Sequence, residues 1–425
     1  MQAAGLARNA PEQLDWFIII HTFRAGHAAH LPVQENKKAE TGIMKALICA
    51  LLGFALAVIG GCGSSTKTFP QISLVYASGS GTNAVQGFSL KQNGELTALN
   101  VNSFSTNPRP VSMALTPSKN FVYVANDTSN TVSGFSLDHT SGLLTPVGTA
   151  VPPSPICPAN VPCSTPISVG VSSDGQFLFV LNQGNPTAVP TAIPANISVF
   201  SVDARGLLTQ VAGSPFAAPA SPQFMVVSPN AAFIYVSAAN TVVALPFSAG
   251  GAVGAPVSTF TSPSAGATIA GTTIDSKGFL YATDSTNNQL LVLSGQSTGT
   301  LTQVGAPVAT GTKPVNVAAN STGTVVYVSN QGSNNISGFQ ANAGALTPVA
   351  NSPFITAGSG ATGSALLTAP GFLIFDASNT YLLVSNTGTK AIAVFLIDPA
   401  TGSAFQVTDS PFGQTLSADW LISTI

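Results

Sequence analysis

The sequence is short of charge. Only 7% of its 425 residues are Asp, Glu, Lys or Arg, against about 25% in an ordinary soluble domain. Solubility therefore has to come from Ser, Thr, Asn, Gln and Gly at the surface. Thirteen basic residues face fifteen acidic ones, for a net charge of −2, so there is no basic footprint and nucleic acid is excluded as a partner. Histidine is almost absent. Three of the four lie before residue 31, and His139 is the only one after it. Cysteine is equally sparse, at four. Two of these form "CPANVPC", Cys157 and Cys163, and no His or further Cys stands by to complete the four ligands of a zinc site. A local disulfide in an oxidising compartment is the better reading, and no metal or cofactor is expected. Long helices are also excluded, because forty Gly and thirty Pro are spread along the chain. Hydrophobic residues nevertheless make up 45% of it, enough for a large core.

The longest hydrophobic run is "MKALICALLGFALAVIGGCGSS", from Met44. Its apolar part, Ala46 to Gly61, is slightly short for the roughly 20 residues that span a bilayer. One Lys precedes it, and small residues lead to Cys62. This resembles the lipobox of bacterial lipoproteins, in which that Cys becomes lipid-modified and N-terminal. The resemblance implies a signal peptide over 44–61, a lipidated Cys62, a tether over 62–71, and an exported, membrane-anchored envelope protein. Residues 1–43 differ in composition from all that follows and read as an over-long start without structure of its own, Met44 being the initiator.

From residue 72 onward the chain repeats. The phrase "FVYVAN" at 121–126 returns as "FLFVLN", "FIYVSA" and "VVYVSN". Aligned on its third position, the repeat places Tyr76, Tyr123, Phe179, Tyr235, Tyr281, Tyr327 and Leu383 at intervals of 46 to 56 residues. Each of the seven units carries four short runs of alternating apolar residues. In the second unit these are 110–116, 121–126, 131–137 and 144–149, separated by Ser, Asn, Asp and Gly. Four antiparallel strands per unit at this period predict an all-β, seven-bladed β-propeller over 72–425. The first unit lacks an inner strand, and "SADWLIS" at 417–423 supplies it, closing the ring and removing an open edge. Ungapped alignment with "PVSMALT" puts Trp420 in the Met113 slot, a core position.

The strands of a blade can be lettered A to D from the axis outward. A–B and C–D turns then share one face and are uniformly short. B–C and D–A connections share the other and vary widely, with long members at 150–165, 182–196, 259–271 and 351–369. Variable loops on a rigid scaffold are where binding resides, so this variable face is taken as functional. Among its few charges, Arg109 and Lys313 each precede the proline that opens an inner strand, and Asp419 stands near the start of the closing strand. With Asp127 and Asp284 they form the candidate ligand site. Two cations at one mouth would attract an acidic small molecule or glycan group. The Asn or Asp residues that end strand B (Asn126, Asn182, Asp284, Asn330, Asn386) could ring a ligand, but such residues more often cap turns through their own backbone.

The repeated phrases, with turns such as Ser172-Ser173-Asp174-Gly175, resemble the YVTN-type repeats of seven-bladed lactonase-like propellers. That family holds sugar-acid lactonases as well as surface proteins without known chemistry. Its enzymatic branch carries a His-Pro-His element leading into an inner strand. Here the matching positions are Thr165, Pro166 and Ile167, and the other blades offer no histidine either. No catalytic residue is carried over. The expectation is an envelope-anchored, monomeric binding module that engages a ligand, glycan or envelope protein through its variable face. The alternative is a lactonase-type hydrolase working at the axial mouth.

Overall fold

The computed structural model describes residues 69–79, 81–152, 165–185, 192–230, 232–295, 298–354, 369–413 and 418–424. Seven antiparallel sheets follow one another along the chain, each with a principal path of four strands. Blade two is typical, with Pro110–Leu115 innermost, then Phe121–Asn126, Thr131–Leu137 and Leu144–Pro146. The inner strands of blades three to seven are Pro166–Val171, Pro222–Val227, Ile269–Ile274, Pro314–Ala319 and Pro370–Phe375. Blade one takes its inner strand from the far end of the chain, where Trp420–Thr424 pairs antiparallel with Gln71–Ser78. The expected seven-bladed ring and its closure are both present. Among the described residues no helix is long and apolar enough to cross a membrane.

The core is a ring of interfaces rather than a central ball. Seven apolar clusters form, one between each pair of neighbouring blades. Strand B is buried along nearly its whole length in every blade because sheet packs on both of its faces. This is how a chain with so little charge uses so much apolar sequence. Four of the five tyrosines that mark the repeat then tie blade to blade, while the fifth, Tyr281, donates to Asp275 Oδ2 within its own blade at 3.0 Å. Tyr76 donates its hydroxyl hydrogen bond to the Gly142 carbonyl of blade two, and Tyr123 to that of Gly206 in blade three, both at 2.8 Å. Tyr235 reaches Gly295 and Tyr327 reaches Gly402 in the same way. Blade seven has Leu383 in this slot, and Tyr381 instead reaches the Gln92 carbonyl of blade one.

One strand register departs from the sequence expectation. Trp420 pairs with Ser78, two residues beyond Tyr76, whereas Met113 pairs with Val124, one residue beyond Tyr123. Trp420 therefore occupies the Ser112 slot, and Leu421 is the residue in the core slot of Met113, 1% exposed. A one-residue slip moves a side chain to the opposite face of a strand. It turns Trp420 out of the core slot, leaving the ring half-buried beside the propeller axis.

Candidate functional site on the propeller axis

Inner strands open in a shared way. Five begin with Pro, which has no N–H to contribute and is tolerated at the first residue of a strand or at a bulge. Register shifts follow immediately, between Pro110 and Ser112, Pro166 and Ser168, and Pro314 and Asn316, for example. The residue before the proline is left-handed in four blades: Arg109 (φ 60°), Ser221 (φ 55°), Lys313 (φ 52°) and Ala369 (φ 49°). A non-glycine residue held there costs about 1–3 kcal/mol. Its carbonyl is fixed by an N–H from just beyond strand B, as with Asp127 to Arg109 at 3.0 Å and Gln331 to Lys313 at 2.9 Å. The two cations thus stand at equivalent points of the variable face.

Their immediate surroundings differ. The Arg109 guanidinium turns to Asp127 of its own blade, 3.2 Å away, and that carboxylate is 7% exposed. Lys313 is exposed, and its backbone N–H donates to Asn288 Oδ1. Asp284 is fully buried, and Asn287 and Gln289 each donate to its Oδ2. Its Oδ1 accepts backbone N–H groups from Thr268, Thr286 and Asn287. Burial pushes its pKa up, but these hydrogen bonds outweigh burial and hold it below the ordinary carboxylate value. Asp419 is half-buried, with its N–H on the Ser78 carbonyl at 2.7 Å. None of the five lines the cavity on the axis. Most of the long variable loops, at 153–164, 186–191 and 355–368, lie outside the described residues, as do Cys62, Cys157 and Cys163.

The axis itself holds the most developed site. In the Ser112 slot, blades one, four and seven carry Trp420, Phe224 and Phe372. In a ring of seven, blade four faces blades seven and one across the axis. Its Phe224 accordingly stacks on Trp420 at 5.2 Å and 16°, while Phe372 stacks on Trp420 at 4.1 Å and 23°. The same slot is small or polar elsewhere: Ser112, Ser168, Gly271 and Asn316. At Gly271 any Cβ would sit 2.6 Å from the Val315 carbonyl oxygen and 2.7 Å from Asn316 Cα, so only glycine allows blades five and six to approach so closely.

This aromatic layer bounds a cavity of about 510 Å³ that runs along the inner strands of blades three to seven toward Ser321, Ala377 and Asn379, at the A–B turns. The cavity therefore extends to the short-turn side, away from the variable face. Asp376 is the only titratable residue lining it. Its carboxylate is committed to the A–B turn, accepting the N–H groups of Tyr381 and Ser378. Two lining residues are buried with a polar atom left unpaired: Thr272 Oγ1 and Asn316 Oδ1. Among the described residues no three His, Cys, Asp or Glu side chains gather to hold a metal ion. The arrangement offers stacking and a few hydrogen bonds, with no free acid or base in the lining. Sequence reasoning did not single out Phe224 and Phe372. The signal was "PQFMVV" and "PGFLIF" set beside "PVSMAL" and "PVNVAA".

The sequence profile for "Lactonase, 7-bladed beta-propeller" matches residues 67–159 and 196–362, more than half of the chain. The chain belongs to this family. No curated protein matches the lactonase propeller described here. Solved structures resemble it in fold. The periplasmic gluconolactonase of Pseudomonas aeruginosa aligns with a TM-score of 0.63 and 18% identity, over 83% of this chain and 99% of that one. A candidate 6-phosphogluconolactonase of Bacteroides uniformis gives 0.67 and 16%, over 84% and 100%. A protein of the same description from Bacteroides fragilis gives 0.64 and 16%, over 85% and 99%.

Proposed function

We propose that this lactonase-family propeller is a binding module, taking one small, flat-faced cyclic ligand against the aromatic layer on its axis. The observation that carries the reading is the composition of the axial cavity. Three stacked rings, Thr272 and Asn316 line it, and its one carboxylate is already used by a turn. A volume of this order suits a small organic ligand. Hydrolysis would need a positioned base or another means of activating water. The second reading, a lactone hydrolase, is favoured by family membership and by the names of the structural neighbours. It would draw on the variable face, where Arg109, Asp127, Asp284, Lys313 and Asp419 stand. Titration with a panel of aldonolactones separates the two. Trp420 is one of only two tryptophans, so binding should quench its emission while a pH-stat records no acid release beyond the spontaneous hydrolysis of a protein-free blank. Phe372→Ser should weaken binding about tenfold. Acid release above the blank and proportional to protein concentration would establish the hydrolase, and neither quenching nor such release would defeat both readings.

We further propose that the propeller works tethered to an envelope membrane through lipid on Cys62. The support is the run from Met44 to Cys62, and the eight residues "GSSTKTFP" after it reach about 28 Å when extended. Cys62→Ala should yield an uncleaved precursor that takes up no labelled fatty acid. Labelling that persists in this variant would refute the anchor.

A further inference from the structure

The seven blades act as internal controls for one another, and blade seven breaks the pattern at one surface position. On strand C, the residue paired with the first residue of strand B is Ser136 in blade two, Ser201 in blade three and Ser294 in blade five. In blade six it is Gln340. The strand D partners of these four residues are Thr145, Thr209, Thr302 and Thr347. Blade one has Ser89 opposite Thr97. In five blades, then, a polar pair meets solvent. Blade seven instead has Leu396 opposite Phe405. Both are exposed, at 42% and 58%, although few large apolar side chains among the described residues are. Blade four has Pro246 at this position, so blade seven alone among the described blades sets two large exposed apolar side chains where five blades carry a polar pair, and the fold does not require them there.

The pair lies in a groove of about 630 Å³ between blades six and seven, on the short-turn side. The opposite wall is an array of hydroxyls and amides from two A–B turns. Thr322 and Thr324 hydroxyls lie 2.9 Å apart, and Asn320 Nδ2 donates to both. The Ser378 and Thr380 hydroxyls lie 2.8 Å apart, and Ser378 is engaged by Asp376 and the Thr380 N–H. The threonine hydroxyls of the array keep further acceptor capacity. Asp398 is the only charged residue lining the groove. Its carboxylate caps the C–D turn through the N–H of Ala400 and the hydroxyl of Thr401, and these bonds keep its pKa below the ordinary value.

We propose that this groove is a second binding site, separate from the axis, for a neutral saccharide. A sugar ring has an apolar C–H face, which suits the exposed ring of Phe405 beside Leu396. Its edge of hydroxyls suits the Thr, Ser and Asn wall. Asp398, with no cation among the lining residues, disfavours an acidic sugar. Two apolar side chains are also far too little surface for a stable protein partner, which needs roughly 800 Å² from each side.

The test uses the full-length protein and the double substitution Leu396→Ser with Phe405→Thr, which installs residues that other blades carry and should leave the fold intact. Neutral oligosaccharides of glucose and of N-acetylglucosamine are titrated by calorimetry, beside an oligogalacturonide and a non-ionic detergent below its micellar concentration. One neutral series should bind saturably, about tenfold or more weakly to the double variant, and equally well to Phe372→Ser. Equal sensitivity to Phe372→Ser would place the saccharide on the axis and overturn the second site. So would an absence of saccharide binding, or binding indifferent to the double variant. Binding of the detergent alone would make the groove an amphiphile site and overturn the assignment.

Discussion

Between about pH 10 and pH 11 the propeller is expected to lose its fold in one cooperative step. All six tyrosines of the chain are buried, and burial raises the pKa of every one. Tyr235 is pushed up to about 12 and the other phenols also titrate above their ordinary value of 10.0. Nearby carboxylates add to the effect at Tyr76, Tyr123, Tyr281 and Tyr381. A folded-state pKa above the unfolded one means stability that is fully present below about pH 10 and lost as pH rises toward the folded value. Each phenol then forfeits about 1.4 kcal/mol per pH unit. Five of them, Tyr76, Tyr123, Tyr235, Tyr281 and Tyr327, together reach about 7 kcal/mol by pH 11, which is comparable with the entire stability of a typical domain. The measurement is tyrosinate absorbance alongside far-ultraviolet circular dichroism. Both should change together, and later than for free tyrosine. Six phenols that ionise reversibly near pH 10 while the sheet signal holds would contradict the burial of these phenols at and between the blades.

Those ties show why the fold was legible from sequence. A phenol that must reach a turn carbonyl of the next blade can occupy only one register of strand B, so the repeat keeps it and periodicity exposes it. Blade three keeps the aromatic ring as Phe179 without the hydroxyl. Blade seven moves the hydroxyl to Tyr381, where its N–H also bonds Asp376 and its phenol reaches Gln92. The four-strand pattern came through with little error, the run expected over 144–149 shortening to Leu144–Pro146. The axis was less legible. Ungapped alignment takes no account of the bulges that follow the inner-strand prolines, and blade one has no such proline. Such an alignment sets Trp420 one residue away from its slot in the fold. Phe224 and Phe372 gain their meaning only from circular closure, which brings blade four opposite blades seven and one. Arg109 and Lys313 share a backbone slot, which the sequence showed through the proline that follows each; that the half-exposed Arg109 guanidinium pairs with the buried Asp127 of its own blade is legible only in the fold.

Truncation after Gly413 should be the most damaging single change to the ring. It removes the strand Trp420–Thr424 and with it the ladder from Leu74 paired with Thr424 to Ser78 paired with Trp420. Leu421 and Ile422 leave the interfaces on either side of blade one, where they pack with Val394 and Leu383 on one side and Met113 on the other. Burial of a large apolar side chain contributes about 1.5–3 kcal/mol. Leu421, Ile422 and Trp420 together therefore contribute on the order of 5–8 kcal/mol, a large part of a domain's stability. The aromatic layer also loses its middle member, since Phe224 and Phe372 are 6.4 Å apart and each lies closer to Trp420 than to the other. Gln71–Ser78 would then present an unpaired, apolar edge, a template for association with other chains. The expected result is loss of the monomer peak in size-exclusion chromatography and a shift into large aggregates. A milder variant separates ring closure from gross truncation. Leu421→Ala keeps every backbone hydrogen bond and should cost about 2–5 kcal/mol through the cavity it leaves, lowering the melting temperature while the protein stays monomeric. A truncated chain that remained monomeric and melted with the full-length protein would show that the ring does not close through this strand.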